Sequence, residues 1–538
     1  MGSLYFGDNL DILREHIKTE SIDLVYLDPP FNSKRDYNVF LRTPKGHESD
    51  AQITAFDDSW HWGEQAEREF SELLHQPNTD VAEMIQALRR FLKESDLMAY
   101  LTMMANRLVE LHRVLKPSGS LYLHCDPTAS HYLKIVLDTI FGAELFLNEI
   151  SWQRTAVKGD VRRKFGAVHD VLLAYTKSQN YKFNVVYGDQ DAEYHSRFRF
   201  DDGDGRGPYQ SAPLDSPNPR PNLTYEYKGY ASPAKGWRVS RQVMEQLDKD
   251  GRLIFPTDKQ GRMRRKVYLS EQGGPKVSDI WTDIAPLQGS AAEKLGYPTQ
   301  KPLVLLERII KSSSDEGDIV LDPFCGCGTA VHAAETLKRE WIGIDITHLA
   351  ISLIEKRMKD AFPSIAFEIH GTPKDLDGAR NLAERDKYQF QWWACSLVNA
   401  QPYQGKKKGA DGGIDGIIFF QDDEKGAKKI IVSVKGGENV TRTMIADLKN
   451  TVEREKAEIG LFVTLAEATK PMITEAASAG FYESPYMGAF PKIQILTIDD
   501  LLSGREKPKY PDFSRGGLSF KKAKIEQQRA AQNKLEGF

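Results

Sequence analysis

Two apolar runs, each stopped by an Asp-Pro corner, constrain this 538-residue chain more than any other feature. Ile22, Leu24, Val25 and Leu27 lead into Asp28-Pro29-Pro30-Phe31. Nearly three hundred residues later, Ile319, Val320 and Leu321 lead into Asp322-Pro323-Phe324-Cys325-Gly326-Cys327-Gly328-Thr329. Each corner sits where a buried strand stops, which is where open α/β sheets place their ligands. The chain is expected to be α/β, with two ligand-facing corners built from opposite ends of one half of the sequence.

Length alone suggests about three or four domains. Apolar residues make up 40% and charged residues 28%, the balance of a soluble globular protein. No apolar run approaches the ~20 residues of a membrane span, and Gly2-Ser3-Leu4-Tyr5-Phe6 has no signal-peptide pattern. Phe6 stands where a myristoylation signal wants Ser or Thr. The four cysteines (Cys125, Cys325, Cys327, Cys395) are too few for a disulfide framework. Cys325 and Cys327 lack nearby partner ligands, which argues against zinc. A reduced, cytoplasmic setting is expected, with no membrane association. The net charge of −4 hides an asymmetry, because residues 151 to 280 carry 23 Lys and Arg against 16 Asp and Glu. An electropositive middle in an acidic chain suits a polyanionic partner.

The pattern divides the chain. Residues 1–186 read as α/β, with strand candidates at Leu4-Phe6, Ile22-Leu27, Ser120-Cys125, Phe146-Ser151 and Val168-Tyr175. One long helical stretch covers about Val81 to Leu115 and stops at Lys116-Pro117-Ser118-Gly119. Residues 32 to 62 have no clean period and read as a loop over the site. Residues 187–280 are rich in Gly, Pro, Asp, Asn and Arg, with a helix only near Ser240-Asp248. Residues 281–370 return to α/β order. A polar linker is expected at 371–384, a third unit at 385–503 and a basic tail at 504–538.

The first corner suits a planar amine. An exocyclic amine on a nucleobase is a poor nucleophile, because its lone pair is delocalised into the ring. Two acceptors aimed at its N–H groups favour a pyramidal nitrogen. Asp28 offers a carboxylate and the Asp28-Pro29 turn a carbonyl. Pro29 and Pro30 lock φ and remove competing donors. Phe31 offers a face on which an extruded base can stack. The second corner suits a nucleoside cofactor. Gly326 and Gly328 permit positive φ, and Thr329 opens a helix whose amides can face a carboxylate. The next strand, Trp341-Ile344, ends in Asp345, placed to accept from ribose hydroxyls. Asp8 could accept from the cofactor's adenine amine and, without excluding that role, cap the first helix. Lys301, at the start of the helix before the glycine turn, is a partner for a carboxylate.

The set Asp28-Pro29-Pro30-Phe31, Pro298-Thr299-Gln300-Lys301-Pro302 and Asp322-Pro323-Phe324 with Gly326 and Gly328 resembles the β-class DNA amino methyltransferases over about residues 1 to 370. In that family the catalytic motif comes first, the cofactor motif last and the target-recognition region between them. The resemblance implies a Rossmann-like methyltransferase sheet and S-adenosylmethionine as donor. It further implies double-stranded DNA as partner and a base flipped out of the duplex. Asp28, Pro29, Pro30 and Phe31 would be catalytic. Asp8, Thr299, Gln300, Lys301, Asp322, Phe324, Gly326, Gly328, Thr329 and Asp345 would hold the cofactor. Asp at position 28 leans toward adenine N6, with cytosine N4 as the alternative.

Within 187–280, Arg262, Arg264, Arg265 and Lys266 form a basic run, and Tyr225, Tyr227, Tyr230 and Trp237 are interleaved with Lys228 and Lys235. Such residues contact phosphates, sugars and base edges. In the third unit, Asp411-Gly412-Gly413-Ile414-Asp415-Gly416 and the strand ending at Lys435 resemble the Mrr-type restriction endonuclease domain of the PD-(D/E)xK superfamily. Asp415 would bind a metal and Lys435 would activate water. Two positions depart from that pattern: Ser433 replaces an acidic residue or glutamine, and Gln391 replaces a glutamate. These departures leave three readings open, namely a working nuclease, a nuclease fold retained for DNA binding and an unrelated α/β domain, and Mg2+ is expected only if this domain cleaves. The expected activity is site-specific adenine-N6 methylation within or beside restriction–modification. Its rivals are cytosine-N4 methylation, a bifunctional restriction enzyme and a DNA-binding protein with an inert cofactor fold. A second copy of the chain is a candidate partner.

Overall fold

The computed structural model describes residues 2–30, 61–157, 165–287, 300–403, 413–423 and 426–511, positions 159, 163 and 293, and the backbone of 36–42 and 48–57. The chain opens with β1 (Gly2–Phe6), α1 (Asn9–His16) and β2 (Ile22–Leu27). A backbone hairpin of β3 (Asp36–Arg42) and β4 (Glu48–Asp57) follows. Then come α2 (Glu64–Leu74), α3 (Thr79–Leu92), α4 (Asp96–Val114), β5 (Leu115–Cys125), α5 (Ser130–Phe141), β6 (Phe146–Gln153) and β7 (His169–Thr176). The loop expected over residues 32 to 62 is thus, in its described backbone, antiparallel strand. Register shifts at Tyr37/Asn38 and Phe40/Arg42 break the two-residue alternation that would have betrayed it. The single helix expected over 81 to 115 is two. Lys93 turns the chain with φ 58°, and the Ser95 hydroxyl then caps α4 by accepting from the Met98 N–H at 3.2 Å.

Residues 185–278 form a compact unit of their own. It contains α6 (Ala192–His195), β8 (Tyr209–Pro213), α7 (Arg241–Lys249), β9 (Leu253–Ile254) and β10 (Arg264–Tyr268). The three strands pair antiparallel in the order β8-β10-β9. Trp237, Tyr230, Tyr227, Leu214, Met244 and Met263 make a small core. The unit's two ends are bonded to each other: Val277 N–H donates to Val186 O at 3.1 Å, and Gly188 N–H to Pro275 O at 2.8 Å.

Beyond it run β11 (Ile280–Trp281), α8 (Leu303–Ser313), β12 (Ile319–Asp322), α9 (Thr329–Thr336), β13 (Glu340–Asp345), α10 (His348–Ala361) and β14 (Phe367–His370). These strands join the first set in one nine-stranded sheet, ordered β11-β6-β7-β5-β2-β12-β13-β1-β14. Neighbours are parallel except that β7 runs against both β6 and β5. Leu24, Val25 and Leu321 are fully buried, each worth about 1.5–3 kcal/mol against exposure. The pairs Leu24–Val320 and Val25–Leu321 bring the carboxyl ends of β2 and β12 side by side. The strand order reverses there, the position at which doubly wound sheets open a crevice.

The remaining chain forms α11 (Leu376–Arg385), α12 (Lys387–Leu397), β15 (Gln401–Pro402), β16 (Gly416–Phe420), β17 (Lys428–Lys435), α13 (Arg442–Arg454), β18 (Ile459–Thr464), α14 (Lys470–Ser478), β19 (Phe481–Ser484), β20 (Gly488–Pro491), β21 (Ile493–Thr497) and α15 (Ile498–Ser503). A five-stranded sheet runs β15-β16-β17-β18-β21. The linker expected at 371–384 is largely α11, because Ala379, Leu382 and Ala383 give it an apolar face that enters this sheet's core. Most of the basic tail lies outside the described residues. Among the described residues no helix is long and apolar enough to cross a membrane.

Candidate active site

The crevice is a cavity of about 260 Å3 at the ends of β1, β2, β12 and β13. Asp28, Pro29 and Pro30 enter it from β2, the 322–330 turn from β12, Asp345 from β13, and Gln300 and Lys301 from the segment before α8. The two corners therefore share one chamber. Phe31 and Thr299 lie outside the described residues.

Asp28 divides its carboxylate between two surroundings. One oxygen, Oδ2, receives the Lys301 ammonium, and both side chains are largely buried. The other, Oδ1, is buried with no hydrogen-bond partner among the described residues. A buried carboxylate oxygen left unmet is a free-energy cost unless something donates to it. Lys301, expected on a cofactor carboxylate, thus rests on Asp28, while Gln300 donates to Glu293 O at 2.7 Å.

The glycine turn takes its shape from its own backbone. Gly326 and Gly328 have φ of 49° and 73°, where a side chain is strained. Asp322 Oδ1 accepts from the Phe324 N–H at 3.0 Å. Asp345 gathers three donors: the Gly326 N–H, the Thr347 N–H and the Thr347 hydroxyl, each at 2.9 Å. Burial pushes Asp345 up to about 6 in spite of them. Burial also drives Asp322 well above the ordinary carboxylate range, with Asp28 and Asp345 adding repulsion. Four carboxylates (Asp8, Asp28, Asp322 and Asp345) against two cations, Arg107 and Lys301, leave the cavity rich in acceptors.

Asp8 caps α1, its Oδ1 accepting from the Leu10 N–H at 2.8 Å, so the capping role is realised. It is also gripped by a residue that sequence reasoning missed. Arg107 Nη2 donates to both Asp8 oxygens at 3.1 and 3.0 Å, and Arg107 Nε to Asn9 Oδ1 at 2.6 Å. Asn9 Nδ2 in turn donates to Pro323 O at 2.8 Å, tying the first strand's turn to the glycine turn. Arg357 was missed as well. It is buried, and its guanidinium donates to Cys327 O at 2.9 Å and His332 Nδ1 at 3.0 Å, bracing the glycine turn from behind. The available signal was an arginine inside an apolar helical face, between Met103, Met104, Leu108 and Leu111 for Arg107.

In the C-terminal sheet Asp415 is encircled. Gln391 Nε2 donates to Oδ1 at 2.5 Å, while Val434 N–H at 2.6 Å and the Ser433 hydroxyl at 3.4 Å donate to Oδ2. Lys435 Nζ stands 3.9 Å from Oδ2. The two residues that depart from the nuclease pattern are thus donors to the one carboxylate. Among the described residues no three His, Cys, Asp or Glu side chains gather to hold a metal. This donor set does not fit Mg2+, which wants oxygen acceptors. Gln389 on α12 accepts from the His348 N–H at 3.2 Å, joining this module to the segment that follows Asp345.

A parallel sheet open at a reversal point, with a glycine turn and an acid ending the next strand, defines a nucleotide-type cofactor fold. The DNA methylase family model matches residues 22–356, and the chain belongs to that family. A restriction endonuclease family model matches residues 382–502. The type II methyltransferase M.EcaI of Enterobacter cloacae is 33% identical over 261 residues, 48% of this chain and 57% of its own. The Mod subunit of the type III restriction-modification enzyme StyLTI of Salmonella typhimurium is 24% identical over 348 residues, 62% of this chain and 50% of its own. A putative DNA modification methylase from Thermus thermophilus, solved with S-adenosyl-L-methionine, aligns over 69% of this chain and 99% of its own, with 15% identity and a TM-score of 0.33. The chain spans about half the length of the curated relatives it matches.

Proposed function

We propose that this chain transfers a methyl group from S-adenosylmethionine to the N6 amine of adenine in double-stranded DNA, within or beside a restriction–modification system. The observation that carries this reading is Asp28 Oδ1, a buried acceptor without a partner among the described residues, in the same chamber as the glycine turn and Asp345. The residues present suit the cofactor. Asp345 and Asp8 offer acceptors to hydroxyls and an amine, the amides at the start of α9 face a carboxylate, and Phe324 and Ile346 give apolar walls. When bound, the sulfonium supplies an electrophilic methyl group. The protein's part is to hold the target amine. Asp28 Oδ1 accepts from one N–H and draws electron density back to nitrogen, while Lys301 on Oδ2 holds the carboxylate in place. Pro29 and Pro30 keep the corner rigid. An ordered acceptor acts without reorganising, which makes such electrostatic preorganisation effective.

Cleavage by the C-terminal module draws no support from the ring of donors around Asp415. The test is to incubate unmodified DNA with the protein and labelled cofactor, digest it to nucleosides and identify the product. N6-methyladenosine is expected as its deoxynucleoside. N4-methylcytosine would overturn the adenine assignment, and absence of both would overturn the reading.

A further inference from the structure

Behind Asp28 a chain of buried polar side chains crosses three neighbouring strands. Tyr26 Oη on β2 lies 3.1 Å from His124 Nδ1 on β5, and His124 Nε2 lies 3.3 Å from Asp170 Oδ2 on β7. Arg154 Nε closes the far end, 3.0 Å from Asp170 Oδ1. His124 is 0% exposed and Asp170 2%. Leucines would fill this sheet interior at far lower desolvation cost, so an ionisable pair buried there marks a job that packing does not require. Tyr26 lies on β2 and Asp28 in the corner that follows it, and both line the cavity.

The hydrogens in this chain can be assigned by elimination. Burial opposes ionisation of Asp170, yet the His124 hydrogen bond and the charges of Lys301 and Arg154 hold it below the ordinary carboxylate range. Burial, with Lys301 nearby, holds His124 neutral. An ionised carboxylate only accepts, so His124 Nε2 must carry the ring hydrogen. A neutral imidazole then has a bare Nδ1, and the Tyr26 hydroxyl must donate to it. What remains for the cavity is the Tyr26 oxygen with its lone pairs.

We propose that Tyr26 is a dedicated N–H acceptor in the cavity, and that His124 and Asp170 are positioning residues that keep its hydroxyl hydrogen turned away. The ligand group is an N–H donor. The exocyclic amine of a flipped base and the α-ammonium of the cofactor share this chemistry. The proposal rests on the methyl-transfer reading for the first source only, because cofactor binding can be measured without turnover.

The experiment uses the full chain with Tyr26→Phe, Asp170→Asn and the double variant. An asparagine at 170 turns its amide toward His124, reverses the ring tautomer and so swings the Tyr26 hydrogen into the cavity. If the target amine is the donor, Tyr26→Phe slows single-turnover methyl transfer about tenfold, the worth of one neutral hydrogen bond, with cofactor Kd unchanged. If the ammonium is the donor, Kd for S-adenosylmethionine rises about tenfold instead. In either case Asp170→Asn loses roughly a hundredfold, and adding Tyr26→Phe to it restores the tenfold level, since no misdirected hydrogen is left. A merely structural role would make the two losses add. Should Tyr26→Phe move neither quantity, or should the losses add, the proposal fails. If Asp170→Asn does not fold, [15N]histidine spectra of the unaltered protein decide, with His124 identified by its loss in His124→Gln. The Nε2–H tautomer supports the assignment and the Nδ1–H tautomer overturns it. Wild-type protein that binds cofactor but methylates no DNA would sink the proposed function and leave the Kd arm readable.

Discussion

If Asp345 receives hydroxyl hydrogens from the cofactor's ribose, cofactor affinity must follow the ionisation of that one carboxylate. Its value of about 6 lies two decades above the ordinary 3.8, and burial is the main cause. An acceptor carboxylate must be charged to hold two hydroxyls, so binding favours the ionised form. At pH 7 about nine-tenths of the free protein would carry that charge, and at pH 5 about one-tenth, so the apparent Kd should rise about tenfold on acidification. The same elevation has a consequence for stability, with the sign worked from the direction of the shift. A carboxyl whose folded value is raised adds stability that is present below about 4 and lost as pH climbs through about 6. The rise corresponds to about 3 kcal/mol, reduced to about 2 kcal/mol because Asp345 keeps part of its surface open to the cavity. Calorimetric titration with S-adenosylhomocysteine, which binds without turnover, reads the affinity at pH 5, 6 and 7. Asp345→Asn should bind weakly and lose the slope. Equal affinity at pH 5 and 7, or a slope that survives in Asp345→Asn, would refute the reasoning.

Asp28→Ala should lower methyl transfer by about two to three orders of magnitude while cofactor Kd stays within about threefold; transfer at the wild-type rate would remove Asp28 from the mechanism. Arg107→Met leaves Asp8, Asn9 and Glu69 facing a missing cation. It should cost about 2–3 kcal/mol in urea denaturation, below the 3–5 expected of a fully buried pair, since Asp8 is 30% exposed at its side chain. Asp415→Ala strips the Val434 N–H and Gln391 of their acceptor and should cost about 1–3 kcal/mol in the C-terminal module, with methyl transfer untouched. A matching assay with Mg2+ and unmodified supercoiled DNA should show no nicking above the Lys435→Ala background.

The corners were legible because their signals are local. The apolar residues of β2 and β12 announce buried strands, the Asp-Pro pairs mark where they stop, and Gly326 and Gly328 declare the φ values the turn needs. Asp8 showed equally in sequence, as both cap and acceptor, and in the structure it caps α1 while also lining the cavity. What escaped is tertiary. Nothing near Arg107 in sequence hints that its partners are Asp8 and Asn9, about a hundred positions upstream. The relay behind Asp28 needs Tyr26, His124 and Asp170 brought together by strand order, and periodicity does not supply strand order. Local signals also misled. The apolar spacing of α3 continues into α4, which hid the break at Lys93, although Ser95-Asp96 carries an ordinary helix-start pattern. The polar residues of 371–384 suggested a linker, but three small or apolar side chains among them are enough to dock α11.

Residues 185–278 leave and rejoin the polypeptide through a neck two hydrogen bonds wide, between Val186 and Val277 and between Gly188 and Pro275. A loop closed at its base in this manner can lengthen, shorten or be replaced without altering the spacing of the segments that flank it, and loop-closure entropy grows only slowly with length. Everything beyond that clasp can therefore change in length or sequence while the two bonds at its base stay the same.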